Sequence, residues 1–528
     1  MRIMGLSFKE KYSFGIGALG KDLCYAIVSS YLMIYFTDSI GLAPAFVGSL
    51  FLVARLWDAV NDPAMGMIVD NTKTKWGKFR PWILIGTLIN AVVLLFLLFR
   101  KPDLEGTSLY LYYSVMYILW GMTYTIMDIP YWSMLPSLSK TNEERAQMSV
   151  IPRIFASCAW LIMGAFGLSI VNKLGNGDQT KGYGAFAVVI AAIFIITSII
   201  TVINVKDSSC KVTESNKKVE KTSLKKAFKL IKENDQLMVF IGVVLAYNLV
   251  AQLSGGMSIY YFKYVVGNEN MYQVFTAFAG LAEIAALMLF PMLSKRMSKK
   301  GVFRLACYLP AVGLIILLLA GIFVPGNAAL IALSGIIVKL GSGFTLGATT
   351  VMLADVIDYG EVRFDSRNES IVASFQTLLV KTASAVSGWL IGVGLTIVGY
   401  VPNITQTAGT IFGMRILMVA VPSVITLLGL FIYVKGYKLQ GEYQEKIMEE
   451  LNKLQSEKIF AGGTGSYFLE SIVSDMSIDS QKAVNLYKNY TDLKTSIHNQ
   501  RLSIMGVDTD EEAMDMIKYQ QAYNLNSK

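Results

Sequence analysis

Residues 44–80 decide the fold. They read Pro44-Ala45-Phe46-Val47-Gly48-Ser49-Leu50-Phe51-Leu52-Val53-Ala54-Arg55-Leu56-Trp57-Asp58-Ala59-Val60-Asn61-Asp62-Pro63-Ala64-Met65-Gly66-Met67-Ile68-Val69-Asp70, then Asn71-Thr72-Lys73-Thr74-Lys75-Trp76-Gly77-Lys78-Phe79-Arg80. The mostly apolar run over 44–69 is long enough to cross a hydrocarbon core of roughly 30 Å as a helix. It ends in a loop dense in Lys and Arg. The same grammar recurs along the chain, with spans expected near 12–36, 44–69, 81–100, 108–135, 150–172, 184–205, 237–262, 272–293, 304–324, 328–355, 371–399 and 409–434. The 528 residues are 54% hydrophobic and 16% charged, against about 25% charged in soluble chains. Disorder and an ordinary soluble enzyme are excluded. An all-α polytopic membrane protein of twelve helices is expected, and no cleavable signal is read before the first span.

Loop charge sets the expected orientation. With the N-terminus cytoplasmic, the inside loops hold Lys73, Lys75, Lys78, Arg80, Lys140, Arg145, Lys295, Arg296, Lys299, Lys300 and Arg304, and nine lysines between Lys206 and Lys232. The outside loops hold only Arg100, Lys101, Lys173, Lys181 and Lys263. Both termini are therefore expected in the cytoplasm. The net charge of +9 belongs to these loops, not to a nucleic-acid patch.

The long polar interruption splits the spans evenly, giving expected units of 1–205, a central loop 206–236, 237–440 and a tail 441–528. The halves are weakly repeated. A shift of 224 residues lays Trp76-Gly77-Lys78-Phe79-Arg80 on Lys300-Gly301-Val302-Phe303-Arg304, and brings Asn142-Glu143-Glu144-Arg145 close to Arg367-Asn368-Glu369. Parallel six-helix repeats joined by a long loop are the architecture of major-facilitator-type carriers.

Ionisable residues inside spans are costly and usually mark a substrate or ion path. Here they are Lys21, Asp22, Arg55, Asp58, Asp62, Asp128, Arg153 and Lys381. Asp58 and Asp62 stand at i and i+4, so both carboxylates leave one helix face. Two such groups in low dielectric repel unless a cation or proton joins them. Asn61 and Thr125 add neutral oxygens. The alternative is a structural ion-pair network with Arg55, Arg153 and Lys21. For sugar recognition, Asp22, Asp128 and Arg153 supply charged hydrogen-bonding groups, while Tyr124 and Trp132 supply an aromatic face. Asp128 and Trp132 are again i and i+4, although Trp132 also suits an interfacial belt. Asp70, Lys78 and Arg80 read as a loop clasp or as a plain basic loop. Asp355, Asp358, Tyr359, Glu361 and Glu369 read as a cytoplasmic gate or as solvated acids.

Enzyme chemistry finds little support. Cys24, Cys158, Cys210 and Cys307 lack metal-ligand spacing, and the single histidine, His498, lies in the tail. No nucleophile–base pair is available in the spans, and no cofactor is expected.

At these residues the chain resembles a known family. Gly20-Lys21-Asp22, Arg55-Leu56-Trp57-Asp58-Ala59-Val60-Asn61-Asp62-Pro63, Lys75-Trp76-Gly77-Lys78-Phe79-Arg80-Pro81-Trp82, Asp128-Ile129-Pro130-Tyr131-Trp132-Ser133, Asp355-Val356-Ile357-Asp358-Tyr359-Gly360-Glu361 and Glu369-Ser370 through Lys381 are similar to the glycoside–pentoside–hexuronide:cation symporters, the melibiose permease family. The resemblance covers about residues 5–440. It implies a monomeric carrier in a bacterial-type inner membrane that couples a sugar to Na⁺, H⁺ or Li⁺. It also implies a cation site at Asp58, Asn61, Asp62 and Thr125. Around the sugar it implies Lys21, Asp22, Tyr124, Asp128, Trp132, Arg153, Gln376, Thr377 and Lys381. Where melibiose permease has a tryptophan in span 10, this chain offers Phe344.

The tail is of another kind. Residues 456–528 carry seven basic and ten acidic groups, so residues 1–455 hold +12. Asn499-Gln500-Arg501-Leu502-Ser503-Ile504-Met505-Gly506-Val507-Asp508, with Asp510-Glu511-Glu512 and Tyr519-Gln520-Gln521-Ala522-Tyr523-Asn524, resembles the C-terminal coiled-coil end of a flagellar hook-associated protein over about 457–528. That resemblance implies a fused or misassembled segment without a transport role. A regulatory or oligomerising tail is the alternative.

Overall fold

The computed structural model describes residues 7–72, 74–99, 104–138, 142–205, 234–364, 369–456, 487, 490–496 and 509–526. Helices account for nearly all of it. In chain order α1 is Phe8–Ile34, α2 Pro44–Asp70, α3 Arg80–Leu98, α4 Gly106–Leu138, α5 Asn142–Gly175 and α6 Gln179–Asn204. They are followed by α7 Asp235–Tyr260, α8 Asn270–Arg296, α9 Lys299–Phe323, α10 Ala328–Phe364 and α11 Glu369–Ile397. Next come α12 Ala408–Gly436, α13 Glu442–Ser456 and α14 Thr509–Asn526.

Among the described residues, ten helices are long and apolar enough to cross a membrane. The other two of membrane-crossing length are α2 with 27 residues and α4 with 33. Arg55, Asp58 and Asp62 interrupt the first, and a row of tyrosines and tryptophans the second. Both lapses of apolarity fall at the site described below.

Local chemistry explains where helices begin. Ser7 caps α1 by accepting from the Glu10 amide at 3.2 Å, while Glu10 Oε2 accepts from the Ser7 amide at 2.9 Å, a reciprocal capping box. Asn234 and Ser298 start α7 and α9 by accepting from the amides of Leu237 and Gly301. Helices α1 and α7 end alike. Each runs into a six-residue π-helical turn, Tyr35–Ile40 and Tyr261–Val266, and stops at a left-handed glycine, Gly41 at φ +84° and Gly267 at φ +75°. A side chain at either position would be strained. The two stops lie 226 residues apart, close to the repeat shift read above. At residues 299–304 the repeat is less regular: these already belong to α9, whereas residues 75–79 precede α3.

Helix α1 packs on α5 and α6, α3 on α4 and α6, and α2 on α4. In the second half α10 lies between α8 and α9, and α7 packs on α11 and α12. The halves meet where α2 packs on α11 and α5 on α8, with a smaller contact of α1 with α7. Small residues permit the first seam. A Cβ at Gly48 would sit 2.8 Å from the Gly388 carbonyl, and one at Gly392 would run into the Pro44 carbonyl. At the second seam Thr276 donates to the Gly164 carbonyl at 2.6 Å and Ser169 to Gln273 at 2.7 Å.

The chain divides into compact units Met1–Glu445 and Lys446–Lys528. In the second, α14 exposes Met514, Ile517, Tyr519 and Tyr523. Residues 206–233 of the expected central loop and most of the tail segment 457–528 lie outside the described residues.

Candidate functional site

Two charged clusters adjoin a cavity between the halves. The first is built on α1 and α4. Lys21 is 3% exposed, and its ammonium lies 2.8 Å from Asp128 Oδ1 and 3.4 Å from Asp22 Oδ2. Asp22 Oδ2 is buried and makes no hydrogen bond. The Lys21 ammonium also stands 4.9 Å from the Trp132 ring centre and 5.5 Å from that of Tyr131. Tyr124 donates to the Lys21 carbonyl at 3.4 Å. Tyr124, Asp128 and Trp132 are successive i, i+4 positions of α4, so one stripe of that helix faces Lys21.

The second cluster lies on α2. Arg55 Nη1 donates to Asp58 Oδ2 at 3.0 Å, and Nη2 to the Tyr25 hydroxyl at 3.0 Å. One turn on, Asp62 Oδ1 accepts from Thr125 Oγ1 at 3.1 Å. Its Oδ2 forms an ion pair with Lys381, which comes from α11 in the other half. Beside it the Asn61 side-chain nitrogen is buried without a hydrogen-bond partner. Thr125 follows Tyr124, so α4 serves both clusters. Among the described residues, these contacts set four carboxylates (Asp22, Asp58, Asp62, Asp128) against three cations (Lys21, Arg55, Lys381).

The cavity, of about 520 Å³, reaches the second cluster at Arg55 and Tyr25 and starts one turn from Lys21 and Asp22 of the first. Tyr25, Arg55, Trp120 and Trp160 line it from the first half, and Gln252, Glu283 and Lys339 from the second. The Tyr25 ring lies tilted 6.0 Å from Trp120 and edge-on 6.1 Å from Trp160, giving an aromatic wall. Glu283 of α8 and Lys339 of α10 form an ion pair at 2.9 Å. The sequence reading passed over both, although each is a charge inside an expected span. Phe344, which stands where melibiose permease has its span-10 tryptophan, is 7% exposed and packed with Ala286 and Ala306.

At the α1–α2 end the halves are tied through Asp38, also passed over because it lies just beyond the expected first span. Its carboxylate accepts from Lys263 at 2.7 Å, from Thr37 at 2.9 Å, and from the hydroxyls of Tyr264 and Tyr400. Asn403 donates to the Asp38 carbonyl at 2.6 Å, and Thr37 meets the Tyr260 hydroxyl at 2.8 Å.

The remaining sequence candidates fall elsewhere. Arg153 is exposed, and no contact among the described residues joins it to Lys21 or Asp128. Gln376 is half-buried on α11; the side chains of Thr377 and Asp70 lie outside the described ones. Lys78 stands 5.3 Å from the Phe79 ring. Arg80 donates through Nε to the Val202 carbonyl at 2.6 Å, tying α3 to α6 within the first half. Asp355 accepts from Lys299 at 2.6 Å, Tyr437 at 2.6 Å and Gln444 at 2.9 Å, all in the second half. The contacts described for Arg80 and Asp355 thus lie within single halves, the basic start of α9 lying beside α10. Asp358 and Glu361 follow Asp355 on α10.

Comparison with known proteins places the chain. Residues 13–441 match the family model described as MFS/sugar transport protein, and residues 498–528 match one described as Flagellar basal body rod FlgEFG protein C-terminal. The flagellar resemblance thus narrows to the last residues and to rod proteins. The chain is 31% identical to the isoprimeverose transporter of Lactiplantibacillus pentosus over 79% of its own length and 86% of that protein's. It is 28% identical to the lactose permease of Lactobacillus helveticus over 85% of its length and 73% of that protein's. A solved bacterial homologue of the human lysosomal transporter Spinster, inward-facing and unoccupied, shares the fold at a TM-score of 0.62 and 14% identity, over 84% of this chain and 99% of that one. Twelve packed helices among the described residues, partly buried carboxylates on α2 and α4 and an aromatic-walled cavity between two halves have a common explanation: the chain belongs to the MFS/sugar transport family of the major facilitator superfamily, as a membrane sugar transporter and not an enzyme.

Proposed function

We propose that the protein is a cation-coupled sugar symporter that imports a neutral glycoside with Na⁺ or H⁺ by alternating access. The observation that supports coupling is the charge shortfall: among the described residues, four carboxylates share three protein cations. An uncompensated carboxylate in low dielectric is costly, so one further monovalent cation or proton is stabilising there. Asp62, with Thr125 and Asn61 beside it, is the ligand set of choice. A cation there competes with Lys381 for Asp62 and releases an ammonium of the opposite half. Coupling then follows as linkage: the cation raises sugar affinity, and sugar raises cation affinity by the same factor. Lys21, Asp22, Asp128, Trp132 and Tyr124 take the sugar, and Gln376, Thr377 and Arg153 complete the path. The halves 1–205 and 237–440 are the rocking bodies. The basic loops face the cytoplasm of a bacterial-type inner membrane, with both termini inside. A single chain suffices, since both clusters are built from it.

Uptake of labelled isoprimeverose, lactose and related glycosides into membrane vesicles tests this reading. Accumulation driven by an inward Na⁺ or proton gradient is expected; transport indifferent to both gradients overturns coupling. A second reading rests on the same Lys381–Asp62 contact. If Lys381 serves as a permanent built-in cation, the protein exchanges sugars without an ion. Gradient-independent counterflow with no uphill uptake is its signature.

A further inference from the structure

We propose that Glu283 and Lys339 form a second-half sugar subsite that binds two adjacent hydroxyls of a neutral glycoside; this rests on the sugar-carrier reading above. Glu283 lies midway along α8, and Lys339 lies eleven residues into α10, about 16 Å along its axis. Both are therefore deep in the hydrophobic belt, where each charge costs a few kcal/mol and where unpaired charges are rare.

Holding α8 to α10 does not require the pair. On one side of Lys339, a Cβ at Gly335 would sit 2.8 Å from the Phe275 carbonyl; on the other, a Cβ at Gly343 would sit 2.6 Å from Ala286. Small residues close that seam both above and below. The side chains of Glu283 and Lys339 stay 28% and 34% exposed, and both line the cavity. Lys21, which is held in a packed cluster, is by contrast 4% exposed. A partly solvated ion pair contributes little to stability, so its value lies in what it presents to the cavity.

What it presents is an acceptor and a donor 2.9 Å apart. Adjacent hydroxyls of a pyranose have a comparable spacing: one donates to the Glu283 carboxylate while its neighbour accepts from the Lys339 ammonium. From the first half, Tyr25 and Trp160, whose rings meet edge-on at 6.1 Å, line the cavity as aromatic surface for the C–H side of the sugar. A sugar carboxylate is disfavoured, because Lys339 is already neutralised by Glu283 and Arg55 by Asp58.

Counterflow in proteoliposomes containing the full chain tests the subsite without any ion gradient. Lactose, isoprimeverose and monodeoxy derivatives of lactose are compared for the wild type, Glu283→Gln, Lys339→Gln and the swap Glu283→Lys with Lys339→Glu. In the wild type, removal of one hydroxyl of the bound pair should raise the half-saturation concentration about 10-fold. Each single variant should raise it as much for the parent sugar, yet add little for the deoxy sugar that lacks the hydroxyl bound by the substituted residue. The swap retains the ion pair, keeps a folding control and should move the penalty to the neighbouring hydroxyl. Unchanged half-saturation in both single variants overturns the proposal. So does an equal loss for parent and deoxy sugars, or a variant preference for glucuronides already present in the wild type. A wild type that exchanges no sugar at all overturns the carrier reading itself.

Discussion

Lys263 and Asp38 stand 2.7 Å apart and join the π-helical end of α7 to that of α1. The Asp38 side chain is fully buried and also receives Tyr264 and Tyr400, so the α1–α2 end is closed by charge-assisted bonds between the two halves. Under the alternating access proposed above, this end opens in turn, and this network is what must break.

Asp38→Asn is therefore expected to favour opening at that end. Removing one partner of a buried pair costs about 3 kcal/mol, roughly 100-fold in a population ratio. Ser29, exposed on the cavity wall, reports it when replaced by cysteine in a chain lacking Cys158 and Cys210. Thiol labelling through that end should speed up in Asp38→Asn; an unchanged rate would show that the network does not hold the gate.

Asp62 is linked to both Thr125 and Lys381, so its substitution should separate coupling from exchange. Asp62→Asn should abolish cation-driven accumulation while sugar counterflow continues. Thr125→Ala should weaken apparent cation affinity by roughly 10-fold, the loss of one hydrogen bond to a charged group. Full uphill uptake by Asp62→Asn would remove Asp62 from the coupling site. Cation titrations of initial uptake rate give both results.

Close approach of α2 and α11 depends on Gly392, where a side chain would meet the Pro44 carbonyl and the Gly48 backbone. Gly392→Val should hold the halves apart at this seam and slow transport at least about 10-fold through a lost conformational step. Sugar-dependent protection of a cavity cysteine should remain. Loss of protection together with transport would point to misfolding of the site instead.

The tail forms its own compact unit from Lys446 onward, and the described residues of the clusters and cavity run from Lys21 to Ile391. Deleting residues 457–528 should leave vesicle uptake within about twofold of the full chain, as expected for an independent segment. A large loss, with unchanged insertion into the membrane, would assign the tail a regulatory role.

The readable part of the site was the part that repeats at helical spacing. Asp58 with Asp62, and Tyr124 with Asp128 and Trp132, each lie along one helix face whatever the neighbours do, so their grouping follows from i, i+4 geometry alone. Lys21 against Asp128 was nameable only as an inventory, since their 107-residue separation says nothing about distance. Glu283, Lys339 and Asp38 were single charges with no local partner, and each gains its meaning from a residue at least 56 positions away. Phe344 went the other way: its composition suited a binding wall, but its helix face turns it into the α8–α9–α10 core.

Hydropathy and loop charge alone determined that this chain is a membrane-spanning helical protein with a central divide and a polar tail. These are local quantities: the length of an apolar run and the sign of the loops around it. Which charges meet was decided only by tertiary packing. Lys381 reaches Asp62, Lys263 reaches Asp38 and Lys339 reaches Glu283 because small residues let particular helices approach. In low dielectric, a charge brought that close has to find its counter-charge.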